Sequence, residues 1–262
     1  LARRKWRAAN YHIIAREALA VGDSETALEE CRRAIAENPE FAAAHLTLAQ
    51  ILYERELLPE AVTEYERAFE LDSTAACDGL ITARLAHAPS LEAAGDVEGA
   101  VAAYERVLQV RPETPEATSR LLTIWTAQGD DCLARDSLVE AIKAYQRAQA
   151  VALELGPFIV HLKDVFKGYS DRQLESGHWS AAVDALTGLT TELGVLDGQT
   201  QGWIAQVHLA HGHADLASDR LQLAADAYRQ ALAVCPRPAD AAAFGREFDV
   251  PPAEQVRSAL RE

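Results

Sequence analysis

Ala27-Leu28-Glu29-Glu30-Cys31-Arg32-Arg33-Ala34, followed at a short distance by Pro39, decides the fold. Ala27, Cys31 and Ala34 stand at the i, i+4, i+7 spacing of one helix face. The same face returns at Ala61, Tyr65 and Ala68, and again at Ala100, Tyr104 and Val107. It returns at Ala141, Tyr145 and Ala148, at Ala182, Leu186 and Leu189, and at Ala224, Tyr228 and Ala231. Twelve residues before each leading alanine stands another small residue: Ala15, Ala49, Ala88, Gly129, Ser170 and Gly212. Two antiparallel helices approach backbone to backbone only where neither side chain intrudes, so each pair of small residues marks one tight helical hairpin. Gly22-Asp23, Gly95-Asp96 and Gly177-His178 supply turns between paired helices. Pro59 suits a first helical turn, and Ser137 with Glu140 has the spacing of a capping box. Internal periodicity of this kind signals a solenoid.

The pattern resembles the tetratricopeptide repeat. Residues 8–41 and 42–75 keep that family's 34-residue length, Trp125 with Gly129 match its Trp-and-Gly pair, and Pro39, Pro112 and Pro236 match its closing proline. Ser73, Leu153 and Gly194 stand where that proline is missing. The leading alanines are spaced 34, 39, 41, 41 and 42 residues apart, so the later repeats are longer. The extra residues fall between the second helix of one repeat and the first helix of the next. Leu155-Gly156 and Leu193-Gly194 read as the ends of lengthened second helices, with glycine as the stop.

The fold implied is all-α: a right-handed superhelical array of about six helical hairpins with a short C-terminal capping segment. Residues 1–7 form a basic lead-in. Repeats are expected at 8–41, 42–75, 81–114, 122–155, 163–196 and 205–238. Residues 239–262 are expected to cap the last apolar face, which a repeat array otherwise leaves open. Pro89, inside the first helix of the third repeat, should kink that helix or delay its start, leaving Cys77 to Leu80 as an irregular connection.

Composition agrees. Hydrophobic residues make up 49% of the chain but aromatics only 6%, and much of the apolar fraction is alanine, the strongest helix former. Net charge is −15, divided between +4 over residues 1–20 (Arg3, Arg4, Lys5, Arg7 and Arg16 against Glu17) and −19 over the rest. So acidic a body repels phosphate backbones, which argues against nucleic-acid binding by the array. The basic start reads as a solvated helix tip, or as a partner-binding or juxtamembrane segment with Trp6 at an interface. Cys31, Cys77, Cys132 and Cys235 lie far apart without zinc spacing, as structural thiols of a cytoplasmic or otherwise reduced compartment would. No apolar run is long enough to span a bilayer. The chain begins at Leu1 without Met, as a piece of a longer chain would, and it is expected to be membrane-tethered only if an anchor is among the missing upstream residues. Arginine outnumbers lysine 21 to 4 and alanine abounds, as in GC-rich bacterial genomes.

Neither a phosphate loop, GxSxG nor HExxH is present. The chain reads as a non-enzyme without cofactor or metal. His208, His211, His213 and Asp215 include a usable metal-ligand spacing, but His213 falls on a different side of its helix, so a structural or solvated role is favoured. The resemblance puts ligands against one face of the first helices, the concave groove. There it selects His12 and Arg16, then Leu46, Gln50 and Tyr53, then Leu85. Further along it selects Thr126 and Asp130, then Lys167 and Asp171, then Leu209 and His213. Arg16, Gln50, Pro89 and Asp130, with no asparagine among them, depart from the family's clamp for chaperone tails. Leu46, Tyr53, Leu85, Leu133, Leu174, Leu209 and Leu216 give the face an apolar stripe suited to an amphipathic helix or extended peptide. The expected function is a protein-interaction scaffold whose partner carries apolar anchors and some basic residues. The alternatives are the helical-repeat portion of a larger transcriptional regulator, or a membrane-tethered assembly factor whose anchor lies upstream.

Overall fold

A computed structural model describes residues 2–152 and 154–234. Twelve helices and no strand occur among them. First helices of successive hairpins are α1 (Ala2–Ala20), α3 (Ala42–Glu54), α5 (Ser73–Ala93), α7 (Pro115–Ala134), α9 (Leu155–Glu175) and α11 (Gly198–Ala217). Second helices are α2 (Ser24–Glu37), α4 (Leu58–Leu71), α6 (Val97–Val110), α8 (Leu138–Val151), α10 (Trp179–Thr191) and α12 (Leu221–Val234). The chain divides into two compact units, residues 1–124 and 125–262. The expected cap at 239–262, with Cys235 and Pro236 before it, lies outside the described residues.

All six hairpin turns are built alike. The residue that follows the left-handed position donates its N–H five residues back: Asp23 to Ala18, Leu57 to Leu52, Asp96 to Leu91, Ser137 to Cys132, His178 to Gln173 and Arg220 to Asp215. This is the Schellman closure of a helix C-terminus. It requires a positive φ just before each donor. Gly22, Gly95 and Gly177 supply it without strain, while Glu56, Asp136 and Asp219 adopt it with φ near 60°. Asp23, Asp72 and Asp96 cap the helices that follow them by accepting from Thr26, Ala75 and Gly99. The capping box expected at Ser137 does not form, since that side chain makes no cap bond. A reciprocal box closes instead at Asp197 and Thr200.

The small-residue pairs lie where the repeat puts them. Ala15, Ala27, Ala49, Ala61, Ala88, Ala100, Ser170 and Ala182 are fully buried, and the Ser170 hydroxyl donates to the Ala182 carbonyl at 3.3 Å. At two joints an aromatic ring of the second helix packs directly on the small residue of the first. A Cβ on Gly129 would come within 2.5 Å of the Tyr145 ring, and one on Gly212 within 2.5 Å of the Tyr228 ring.

Two expectations need correction. Second helices are not lengthened: they measure 14, 14, 14, 14, 13 and 14 residues. First helices grow instead, from 13 residues in α3 to 21, 20, 21 and 20 in α5, α7, α9 and α11. They start seven or eight residues before the expected 81, 122, 163 and 205, so Leu155-Gly156 opens α9 and does not close α8. Second, Cys77 to Leu80 are helical, and α5 runs from Ser73 through Pro89 to Ala93 without interruption. Packing outweighs the lost bond of Pro89: Leu80 is buried, and the Tyr65 ring of α4 sits on Gly79 so closely that no Cβ fits there. Only one turn follows Pro89, which limits what the proline disrupts. Residues 2–7 are the exposed first turns of α1, a solvated helix tip.

In unit one, neighbouring first helices touch, α1 with α3 and α3 with α5. One core cluster joins Ala15, Cys31, Leu48 and Ile51, and a second joins Ala49, Tyr65, Leu80 and Ala83. In unit two, Ala182, Leu186, Trp203, Ile204 and Val207 form a cluster between α10 and α11, and Leu209 packs with Tyr228 and Ala231 between α11 and α12.

Candidate binding face on the first helices

Side chains of α1, α3 and α5 form the first-helix face of unit one. His12 is held in place twice. Its Nε2 lies 2.9 Å from Thr47 Oγ1, and its ring meets Phe41 edge-on at 5.3 Å. Burial, with Arg16 adding to it, pulls the His12 pKa below its ordinary 6.5, so the imidazole is neutral at pH 7. Arg16 and Gln50 are exposed, and Leu46, Tyr53 and Leu85 are half-buried. Tyr53 rests on both core clusters of the unit, and Leu46 on the second. Each therefore has a rigid base and an open top. Beyond them Glu92 accepts a hydrogen bond from the buried Tyr104 hydroxyl at 2.7 Å.

Unit two differs. Asp130 accepts from Tyr145 at 2.5 Å and contacts His161 Nε2 at 3.1 Å, which ties α7, α8 and α9 together. Burial, then the Asp130 bond, raises the Tyr145 pKa far above the phenol range, so that hydroxyl is a fixed donor. Lys167 pairs with Asp171 and lies over the Trp203 ring of α11, 5.9 Å from its centroid. Thr126 is half-buried, and exposed His213 contacts the Tyr228 hydroxyl at 3.1 Å. Leu209 is not on an open surface, being 6% exposed in the α11–α12 joint, and Leu133 is buried as well. Within the apolar stripe, Leu133 and Leu209 are thus buried, Leu174 is half-buried like Leu46, Tyr53 and Leu85, and Leu216 is exposed. His161, which contacts Asp130, and Trp203, beneath Lys167, both belong to the added turns at the starts of α9 and α11.

The four residues weighed as metal ligands point to different partners. His211 stacks on Trp179 at 5.4 Å, with its Nε2 3.3 Å from Asp215. Asp215 is buried and bonded to Arg220 at 2.7 and 2.9 Å, and His213 turns to Tyr228. His208 is half-buried with an unpaired Nδ1. No group of three potential ligands converges among the described residues. No described helix is long and apolar enough to cross a membrane.

The tetratricopeptide repeat signature matches residues 14–76 and 85–157, more than half of the chain. The chain belongs to the tetratricopeptide repeat family. Arrays of this family serve as scaffolds that hold other proteins, and this chain has that architecture. Among solved structures it is similar to a TPR repeats protein from Bacteroides fragilis, at 12% identity and TM-score 0.47 over 96% of this chain and 98% of that one. It is also similar to a thermophilic TPR protein from Thermus thermophilus, at 16% identity and TM-score 0.32 over 76% and 98%. Among curated proteins none matches significantly.

Proposed function

We propose that the first-helix face of unit one holds a partner segment, an extended peptide or one side of an amphipathic helix, through apolar anchors flanked by basic residues. One observation carries the reading. Leu46, Tyr53 and Leu85 are half-open to solvent on helices that touch in sequence, and Leu46 and Tyr53 are backed by fully packed clusters. Rigid, partly exposed aromatic and aliphatic side chains are what binding hot spots are made of, because little side-chain freedom is left to lose on association. Exposed Gln50 and Arg16 form polar edges that can fix register. The −15 net charge favours encounter with a segment carrying some Lys or Arg, so added salt should slow association more than it loosens the complex.

Peptides selected from a random display library against the wild-type chain test this. Their affinity should fall at least tenfold, about 1.4 kcal/mol, in the double variant Tyr53→Ala, Leu85→Ala, with helix content by circular dichroism unchanged. Peptides that bind the double variant as tightly as the wild type, yet lose affinity when Arg3, Arg4 and Lys5 are replaced, would move the working surface to the start of α1.

A further inference from the structure

Opposite the binding face, unit one has a second recess. On α5, Leu80 and Arg84 are one turn apart and share a side, whereas Leu85 and Pro89 fall on the far side at 100° per residue. Leu80 and Arg84 form the base of a cavity of about 240 Å³ that opens between the second helices α4 and α6. Phe69 of α4 and Val110 of α6 add apolar walls, and both pack on the cluster that holds Leu80.

The charged groups around it are unequally matched. Arg84 is a buried arginine, its side chain only 7% exposed, and its Nη2 bonds Glu66 at 2.7 Å. Arg106, on the rim and more than half exposed, approaches the same Glu66 oxygen at 3.4 Å. Two guanidinium forks therefore share one carboxylate oxygen. The Arg84 fork finds beyond it only the Arg106 carbonyl, at 3.5 Å. The other acid of the rim, Glu70, is paired with Arg67 at 2.6 Å. One positive charge is left over, beside a desolvated guanidinium where a bidentate anion binds most strongly.

We infer that this recess is a carboxylate site, taking a carboxylate on a short branched apolar group. The carboxylate bonds the free edges of Arg84 and Arg106 while the apolar group rests on Phe69, Leu80 and Val110. The cavity is smaller than the roughly 300–1,000 Å³ of pockets for drug-sized ligands, so one small acid or one terminal side chain fills it. Such a group comes either as a free acid or as the C-terminal residue of another chain. A site on this side could be occupied while the first-helix face holds its own partner.

Nuclear magnetic resonance of the full chain tests it, with arginine Nε–Hε and leucine and valine methyl groups observed. The probes are 4-methylvalerate, its amide, the tripeptide Ala-Ala-Leu and its C-terminal amide. We expect at least one acid to shift the Arg84, Arg106, Leu80 and Val110 signals saturably, and both amides to leave them in place. Saturation by both acids at similar concentration assigns the site to small acids, and saturation by the tripeptide alone assigns it to a chain terminus. Arg106→Gln, at an exposed position that leaves the core intact, should weaken binding at least tenfold. Amides that shift the same signals as the acids, no saturation by either acid at about 10 mM (weaker than about −3 kcal/mol), or unchanged affinity in Arg106→Gln would each overturn the assignment.

Discussion

Gly129→Ala sets two opposed effects against each other, and the structure says which wins. Alanine in place of glycine inside a helix should gain up to about 1 kcal/mol. Gly168, on an exposed turn of α9 with nothing near its missing Cβ, isolates that gain, so Gly168→Ala should stabilise. At Gly129 the new Cβ meets three atoms of the Tyr145 ring at 2.5, 2.6 and 2.9 Å. The ring is fully buried, packed on Phe166 at 5.7 Å and tied through its hydroxyl to Asp130. A sister hairpin shows the escape route and why it is closed. There Ala88 has a Cβ, and the Tyr104 hydroxyl reaches Glu92, four residues further along the first helix. The matching position in α7 is Leu133, buried and unable to accept. Overpacking of this kind costs about 1–3 kcal/mol, so Gly129→Ala should be net destabilising by up to about 2 kcal/mol. The gap between the two variants should be about 1–3 kcal/mol, roughly 2–10 °C in melting temperature at this size. Repeat arrays need not melt in one step, so the melt by circular dichroism is best paired with amide exchange across α7 and α8. Equal upward shifts for both variants would show that Tyr145 does not lie on Gly129.

Ala100→Leu, at the buried joint with Ala88 in unit one, should cost about 1–3 kcal/mol, and an unchanged melting temperature would disprove the register there. Cys31, whose thiol burial and then Glu30 push up to about 11, should resist an aromatic disulfide reagent at about pH 8 until the chain unfolds, whereas half-buried Cys77 should react before it. His208 has its pKa drawn below 6.5 by burial and then by His211. The unfolded chain therefore takes up the proton first, so this contribution to stability is complete above pH 6.5 and declines as pH falls below it. The urea midpoint should drop between pH 7.5 and pH 5.5, and drop less in His208→Gln. An identical drop in the variant would remove His208 from the account.

The hairpin joints were legible in the sequence because close approach admits only small residues, and that constraint leaves a mark at a fixed offset. Turns were legible where glycine supplies the positive φ, at Gly22, Gly95 and Gly177, and invisible where Glu56, Asp136 and Asp219 adopt it. The three non-glycine turns keep the same closing hydrogen bond, so the demand is for a conformation and not for a residue type. Gly156 misled for a related reason. Glycine after an apolar run suggests a helix end, but Pro157 follows it, and proline belongs in a first helical turn. Pro115 opens α7 in the same way. On the first-helix face, Leu46 and Tyr53 are half-open over packed clusters and His12 is half-buried against Thr47 and Phe41. Leu209 and Leu133 are buried, because a residue's place in the repeat says which side of its helix it is on but not what the next helix lays over it.

What the next helix contributes depends on how the longer repeats are accommodated. Seven residues make very nearly two helical turns at 3.6 residues each, so seven or eight added residues extend a first helix by about two turns at its start and leave the faces of the residues that follow unchanged. The first helices from α5 onward hold to 20 or 21 residues. The irregular part of the spacing falls on the connections, which range from the single Asp72 before α5 to residues 192–197 before α11. The added turns contribute Gly79 beneath Tyr65, His161 against Asp130 and Trp203 beneath Lys167. Each reaches back to a side chain of an earlier helix. In unit two those contacts engage Asp130 and Lys167, two of the positions that the resemblance puts on the expected groove. The added turns thus contribute contact between successive hairpins, while Leu46 and Tyr53 stay half-exposed on α3, the one first helix of only 13 residues.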